Sequence, residues 1–352
     1  MEGSERQASG AGGSVGVTFT APSSGGRLVW RRFRRERLAF AAFVGLVSIV
    51  FACFVGEPLL ARLLGHGADT FFPGAVDVSL NAAPPWSWVP NQPVGAAAAH
   101  GRTLFVLGAD GPLGRDELLR LLAGGRLSLE IAFIATLLAV VIGVTLGTLA
   151  GWFGGITDAV VGRLTELTMA FPILLLVIAI GQTIAARFES VTFYGVFEPG
   201  VLALGIVIGI FSWFYPARVV RSLTVSLREY EFVEAARMTG SGELRIIRKH
   251  ILPHLAGPVI VWATLVASGV IILEAALSIL NFGIKLGTAS WGSLLSYSWG
   301  SLLVFNPIGR SPQYPRSGWL MLWPSLTLFL TVLCLALVGD GLRNALDPRG
   351  EG

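Results

Sequence analysis

Residues 234–253, EAARMTGSGELRIIRKHILP, form a polar, basic block between two long apolar runs of the chain. The wider segment from Arg218 to His254 carries seven lysine and arginine residues against four glutamates. Apolar runs on both sides of a basic block predict membrane-spanning helices joined by a cytoplasmic loop, because such loops are enriched in lysine and arginine. The block therefore indicates an all-α membrane protein.

The composition and the apolar runs support the same fold class. The 352-residue chain is 53% hydrophobic and 14% charged, whereas soluble domains carry about a quarter charged residues. Each run approaches or exceeds the ~20 residues that cross a bilayer, and backbone in lipid must be helical because its polar groups need internal partners. Six spans are predicted, at 38–56, 127–151, 159–185, 200–215, 257–280 and 319–338. Pro216 is expected to kink or end the fourth.

The arginines of segment 27–37 orient these spans. Six arginines lie there against Glu36 alone, so the positive-inside rule places this end in the cytoplasm. Six spans then return the C-terminus to the same side. The predicted organisation is a disordered cytoplasmic tail, 1–26; a basic segment with the first span, 27–56; an extracytoplasmic loop with a Pro- and Trp-rich insert, 57–126; and a core of five helices, 127–352, containing the cytoplasmic loop 217–256.

The basic block itself predicts two short helices around a turn. Residues 230–238 suit the first helix, and Gly240 tolerates the unusual dihedrals of a turn. Ser241 is a candidate N-cap for a second helix over 242–252, which Pro253 is expected to end. Small alanines would leave one face slim enough to enter a groove. The residues alone are equally compatible with a solvated amphipathic loop.

The spacing of Glu234-Ala235-Ala236, Gly240, His250 and Leu252-Pro253 resembles the EAA loop of ABC-importer permeases. Other segments are similar to the C-type subunit of the dipeptide/oligopeptide (and nickel) importers; they lie at 108–116, 120–122, 150–155, 170–172, 274–278, 290–292 and 339–349. The resemblance implies six transmembrane helices in a type I ABC-importer permease fold. It also implies that the loop docks onto an ATPase through Phe232, Glu234, Ala235, Ala236, Arg237, Gly240, His250, Leu252 and Pro253.

The resemblance further implies the partners and the location. A second permease subunit, two ATPase subunits and an extracytoplasmic solute-binding protein are expected, in a bacterial cytoplasmic (inner) membrane, with no nucleic acid. No cofactor is expected in this chain, and ATP-Mg is expected on the ATPase subunits. The only lysines, Lys249 and Lys285, follow Arg248 and Ile284, so no P-loop is present. Di- and oligopeptides are the expected solutes, with nickel chelates or another small solute as the alternative.

Glu274 and Glu130 are the candidates for a solute pathway, because ionisable residues inside spans are costly and often functional. The alternative for Glu274 is an internally hydrogen-bonded packing residue. None of the four histidines lies in a span, so neither a catalytic site nor a metal site is expected. An intramembrane enzyme would need a histidine or a second carboxylate at matching depth, and a passive channel would not need the EAA-like loop.

Glycines four residues apart predict close helix packing. Gly143, Gly147, Gly151 and Gly155 form one series, and Gly205 and Gly209 form another. Small residues at this spacing share one helix face and let two helices approach closely.

Overall fold

The computed structural model describes residues 26–76, 82–94, 101–110, 113–188, 197–284, 287–303 and 318–346. The predicted tail before residue 26 and most of segments 186–199 and 300–315 lie outside these residues. Helices dominate the described part. They are α1 (Gly26–Arg35), α2 (Arg37–Phe51), α3 (Glu57–Leu64), α4 (Glu117–Phe153), α5 (Gly155–Met169), α6 (Ile173–Phe188), α7 (Val201–Ser212), α8 (Phe214–Leu227), α9 (Glu231–Met238), α10 (Glu243–Ile246), α11 (Leu252–Ile279), α12 (Trp291–Leu303) and α13 (Gly318–Leu346).

Four continuous helical segments of the described chain are long and apolar enough to cross a membrane: Arg37–Leu64, Glu117–Phe153, Glu243–Ile279 and Trp319–Leu346. Two bent pairs also qualify, α5 with α6 and α7 with α8. Counting each bent pair as one span gives six, which agrees with the predicted all-α fold. The second span is longer than predicted, because α4 begins at Glu117 rather than near residue 127.

Two prolines at or just after predicted helix ends do not end their helices. The first span was predicted to end at residue 56, just before Glu57 and Pro58, and the second loop helix at Pro253, yet both prolines lie inside continuous helical segments. Each proline follows a five-residue π-turn, Ala52–Gly56 or Ile247–Ile251. A proline ring clashes with the carbonyl four residues earlier, and in both cases that carbonyl belongs to the widened π-turn. The π-turn thus re-registers the hydrogen bonds and lets the helix continue.

The third and fourth spans are broken. The third was predicted as one helix over 159–185, but α5 and α6 meet at 86° around Pro172. The fourth bends by 41° between α7 and α8. That break lies at Trp213, directly after Ser212, whose carbonyl is the one that Pro216 would clash with. The predicted kink at Pro216 is confirmed.

The glycine series lie at helix contacts, as predicted, with one exception. A Cβ on Gly143, Gly147 or Gly151 of α4 would meet atoms of α8 at 2.7, 2.5 or 2.7 Å. Gly205 and Gly209 of α7 face α4 in the same way. Gly155 does not belong to the packed face, because it has a φ of 52° and forms the turn between α4 and α5.

The segment between the first span and α4 contains a small folded unit. Strands β1 (Ser87–Pro90) and β2 (Arg102–Phe105) pair antiparallel, with Ser87 opposite Phe105. Phe105 and Phe72 are fully buried and meet edge to face at 5.4 Å. No strands were predicted here, so this two-stranded ribbon is an addition to the predicted all-α fold.

Ion pairs join this segment to the start of α4. Asp116 caps α4 by accepting a hydrogen bond from the Leu118 amide at 2.9 Å. The Asp110 carboxylate lies 2.6 Å from Arg115 Nη2 and 2.9 Å from Arg120 Nε. Burial raises the pKa of the Asp110 carboxyl, and the charges of Arg120 and Arg115 oppose that shift. These contacts hold the small folded unit on the end of the second span.

Candidate functional site

The predicted turn of the basic block is a helix C-cap built on Gly240. Helix α9 ends at Met238, and Gly240 adopts a φ of 79°. The Gly240 amide donates to the Arg237 carbonyl at 2.9 Å, and the Ser241 amide donates to the Ala236 carbonyl at 3.0 Å. These are the two hydrogen bonds of a Schellman motif, which needs a left-handed residue and therefore favours glycine. The helix and the turn were both predicted from the sequence.

The second half of the block differs from the prediction. Gly242, not Ser241, occupies the N-cap position of α10, and it offers no side-chain cap. The helix that follows does not stop at Pro253 but continues to Ile279 as the fifth span. The block is therefore one short helix and a turn mounted on the end of a long membrane helix, rather than a separate knob of two short helices.

One face of the block packs against the membrane core of the same chain. Val233 of α9 and Ile246 of α10 are completely buried, and Ala236 is 9% exposed. The cluster that they join also contains Trp152, Val220, Leu227, Ile247, Ile251 and Leu255. Ala236 was expected to belong to the face inserted into the ATPase. In the described chain the Ala236 side chain faces the interior of the protein, and its docking role stays a prediction.

The opposite face of the block is exposed and partly apolar. Glu234 and Ala235 are exposed, as the predicted docking role requires. Met238 is 84% exposed and Leu244 is 69% exposed, and sequence reasoning named neither residue. Helical spacing was the missing signal, because Ala235 and Met238 are three residues apart on one side of α9 while Val233 and Ala236 share the other.

Trp152, at the end of α4, contacts residues of both α9 and α10 in the block. The indole Nε1 donates a hydrogen bond to Glu243 Oε2 at 2.7 Å. The Arg237 guanidinium lies over the same indole, 5.2 Å from a ring centroid, and its Nε is 3.6 Å from Glu243 Oε1. Trp152 is only 5% exposed. The contact joins α9 and α10 to the second span, across 91 residues of sequence.

Aromatic rings support the block where it joins the fifth span. Phe232 stacks on the His254 ring at 5.1 Å and lies 6.2 Å from His250. His254 Nδ1 is 2.6 Å from the His250 carbonyl oxygen. Leu252 packs partly buried against the same cluster, whereas Pro253 is exposed. Within the described residues, no group of three or more histidine, cysteine or acidic side chains could hold a metal ion.

Glu274 lies in a buried contact between three helices. Its carboxylate accepts hydrogen bonds from Ser128 of α4 at 3.0 Å, Ser278 of α11 at 2.8 Å and Ser290 at 2.8 Å. Glu274 is fully buried, and the Trp291 amide at the start of α12 donates to Ser128 Oγ at 3.2 Å. Two of the segments on which the family resemblance was based, 274–278 and 290–292, thus meet here. These contacts favour the packing alternative for Glu274 over a role in a solute pathway.

Glu130, the second candidate for the pathway, has a local partner. Arg126 Nε donates to Glu130 Oε1 at 2.9 Å, one helical turn earlier on α4. Glu130 is 7% exposed, and Arg126 also lies over the Phe54 ring at 5.8 Å. The described contacts of Glu130 are therefore those of a paired residue at the end of a span.

Comparison with known proteins identifies the class of molecule. Residues 143–351 match the family described as "Binding-protein-dependent transport system inner membrane component", and residues 24–85 match the "N-terminal TM domain of oligopeptide transport permease C". The chain therefore belongs to the inner-membrane components of binding-protein-dependent transport systems. It is a transporter subunit with the type I ABC-importer permease fold, and the predicted resemblance is confirmed.

Several relatives are similar over most of their length. The oligopeptide transport system permease protein OppC of Haemophilus influenzae is 34% identical over 328 residues, which cover 92% of this chain and 90% of the relative. The glutathione transport system permease protein GsiD of Pectobacterium atrosepticum is 31% identical, with 92% and 91% covered. The dipeptide transport system permease protein DppC of Alkalihalophilus pseudofirmus is 37% identical, with 67% and 69% covered.

Proposed function

We propose that the chain is the permease subunit of an importer of di- or oligopeptides, driven by ATP that partner subunits hydrolyse. Similar permeases are named for the transport of oligopeptides, dipeptides and glutathione, which are all peptides. These names favour peptides over the alternative of nickel chelates. The site of ATP binding is assigned to the partners because neither lysine of the chain lies in a P-loop.

The exposed apolar face of the 231–246 block carries the proposal that this block docks onto an ATPase subunit. Met238 and Leu244 are large apolar side chains held outside the core on a short polar loop. Exposed apolar groups that are rimmed by charges are typical of protein interaction sites. Ala235 adds a small side chain on the same side, and Glu234 adds a charge at the rim.

A docking element transmits motion only if it is rigidly connected to the membrane helices, and two features provide this connection. The Trp152–Glu243 hydrogen bond links the block to α4. The helical segment Glu243–Ile279 extends without interruption from the block to the Glu274 contact. At ~1.5 Å per residue, its 37 residues span about 55 Å. A displacement of the docked block therefore moves α11 as a unit. The Glu274 contact, which joins α11 to α4 and to the start of α12, moves with it.

The assembly inferred from this arrangement contains a second permease subunit, two ATPase subunits that bind ATP-Mg, and an extracytoplasmic solute-binding protein. The block must face the ATPases, so we place it in the cytoplasm together with both chain termini, in the inner membrane of a bacterium. The arginines of segment 27–37 support this orientation. The small folded unit that contains β1 and β2 then faces the binding protein.

Site-specific photo-crosslinking in cells that express the whole transporter tests the docking. With p-benzoylphenylalanine in place of Met238, we expect a light-dependent adduct of this chain with one ATPase subunit, identified by mass spectrometry. Ile156 is the matched control because it is also 84% exposed but lies outside the block, at the start of α5. An adduct from position 156 without one from position 238 would place the ATPase contact elsewhere.

A further inference from the structure

Helix α1, which precedes the first span, is fixed to the last helix of the protein. Glu36 breaks the chain between α1 and α2 with an extended conformation, φ −79° and ψ 95°. Phe33 is 2% exposed and joins a cluster with Ala345 and Leu342 of α13. Trp30 stacks on Phe33 with ring centroids 5.9 Å apart. Helix α1 therefore has a fixed position, packed against α13 at the end of the helix bundle.

The free face of α1 is strongly basic. Arg31, Arg34 and Arg35 are exposed, and none of them forms an ion pair with an acidic side chain among the described residues. The charged residues of α1, of its junction with α2 and of the helices packed against α1 are Arg27, Arg31, Arg32, Arg34, Arg35, Glu36, Arg37, Asp340 and Arg343. Seven arginines thus stand against two acidic residues in these described elements, which makes this face of the protein strongly basic.

Apolar side chains are exposed beside these arginines. Leu28 is 41% exposed, Trp30 is 45% exposed, and Leu38 in the first turn of α2 is 76% exposed. Leu38 directly follows Arg37 and begins the apolar face of the first span. The basic face therefore lies at the level where hydrocarbon gives way to headgroups. Tryptophan is enriched at that level, and cationic helices with an apolar side bind there.

We propose that α1 is a binding site for anionic phospholipid headgroups, whose phosphates pair with Arg31, Arg34 and Arg35. A lipid explains both properties of this surface, because its phosphate neutralises the arginines while its acyl chains cover Leu28 and Leu38. An acidic protein surface would neutralise the charges but would leave the exposed leucines uncovered. Because α1 is packed on α13 in the folded protein, a lipid that binds this arrangement stabilises the folded state.

Thermal unfolding of the detergent-purified transporter, titrated with phosphatidylglycerol or phosphatidylcholine, tests this site. We expect phosphatidylglycerol to raise Tm and phosphatidylcholine to leave it unchanged. Each neutralised arginine near an anionic surface weakens binding about five-fold, equivalent to ~1 kcal/mol. The double variant Arg34→Gln/Arg35→Gln should therefore require roughly 25-fold more phosphatidylglycerol for the same rise.

Two further variants separate lipid binding from packing and from general basicity. Arg34→Lys/Arg35→Lys keeps both charges but alters the Arg34 contact with Phe40, 5.4 Å from the ring, and it should respond nearly as the unmodified protein does. Arg62→Gln/Arg102→Gln removes two exposed arginines that lie outside α1 and outside the docking block and should also keep the response.

Three results would overturn the proposal. The first is a glutamine variant that responds to phosphatidylglycerol like the unmodified protein. The second is a lysine variant that loses the response as fully as the glutamine variant does, since the effect would then be one of packing. The third is a glutamine variant that keeps the lipid response but no longer co-purifies with the ATPase subunits, which would identify α1 as a protein interface.

Discussion

Replacing Trp152 by phenylalanine should loosen the docking block without removing it. The phenyl ring keeps most of the buried apolar contact but has no N–H group, so the 2.7 Å hydrogen bond to Glu243 is lost. The interaction of Arg237 with the aromatic face, at 5.2 Å, is weakened because phenylalanine is a poorer partner for a cation than tryptophan. Both losses act between α4 and the block.

The magnitude follows from the exposure of the partners. A hydrogen bond to a charged group contributes about 1.5–3 kcal/mol when it is buried. The Glu243 side chain is 51% exposed, so solvent screening reduces this contribution to roughly 1 kcal/mol. The weaker cation–π contact adds at most about 0.5 kcal/mol. A total near 1–1.5 kcal/mol corresponds to a local opening that is roughly 5- to 15-fold more frequent.

Hydrogen–deuterium exchange of the full chain measures this opening directly. Amides of α9 and α10 should exchange about 5 to 15 times faster in Trp152→Phe, while amides in the middle of α4 and α13 should be unchanged. Glu243→Gln should produce a smaller effect, and the double variant should add little to Trp152→Phe, because the two residues share one interaction. Unchanged exchange in α9 and α10 would refute the claim that Trp152 anchors the block.

Two other predictions concern helix packing and orientation. In Gly147→Leu, the new Cβ would lie 2.5 Å from the Ala217 carbonyl oxygen, so α8 must move away from α4 and the free energy of unfolding should fall by about 1–3 kcal/mol or more. Gly162→Leu is the control, because Gly162 has open space around it, and this variant should keep the normal Tm. An equal loss of stability in both variants would contradict the packing of α8 on α4. For orientation, single cysteines at 23, 88 and 347 in a protein lacking its two native cysteines should react with an impermeant maleimide from outside only at 88, where the native Trp88 is 61% exposed, and labelling at 23 or 347 would reverse the proposed orientation.

The features that the sequence predicted depend on local periodicity and length. The six spans follow from apolar runs that must be helical in lipid. The contacts of Gly143 and Gly147 with α8 follow from their four-residue spacing. The turn at Gly240 follows from the only residue type that readily adopts its φ of 79°. In each case the signal is contained within a few neighbouring residues.

The features that were missed depend on hydrogen-bond register or on distant contacts. Pro253 was expected to end a helix, but the π-turn before it relieves the clash. The burial of Ala236 could not be read from the sequence, because alanine is compatible with either side of α9 and only the packing of Val233 and Ile246 decides which side is interior. The Trp152–Glu243 contact joins residues 91 positions apart, which no local pattern reveals.

The central claim is that the exposed face of the block couples solute binding to ATP hydrolysis by the partner subunits. The stimulation of ATP hydrolysis by solute tests this claim most directly. The measurement is solute-stimulated ATPase activity of the reconstituted transporter carrying Ala235→Arg or Met238→Asp, each of which places a charge in the docking contact. An unpaired buried charge costs several kcal/mol, so stimulation should fall at least roughly tenfold, while Ile156→Asp, at an equally exposed position outside the block, should retain it. Normal stimulation in both block variants would contradict the assignment of residues 231–246 as the coupling element.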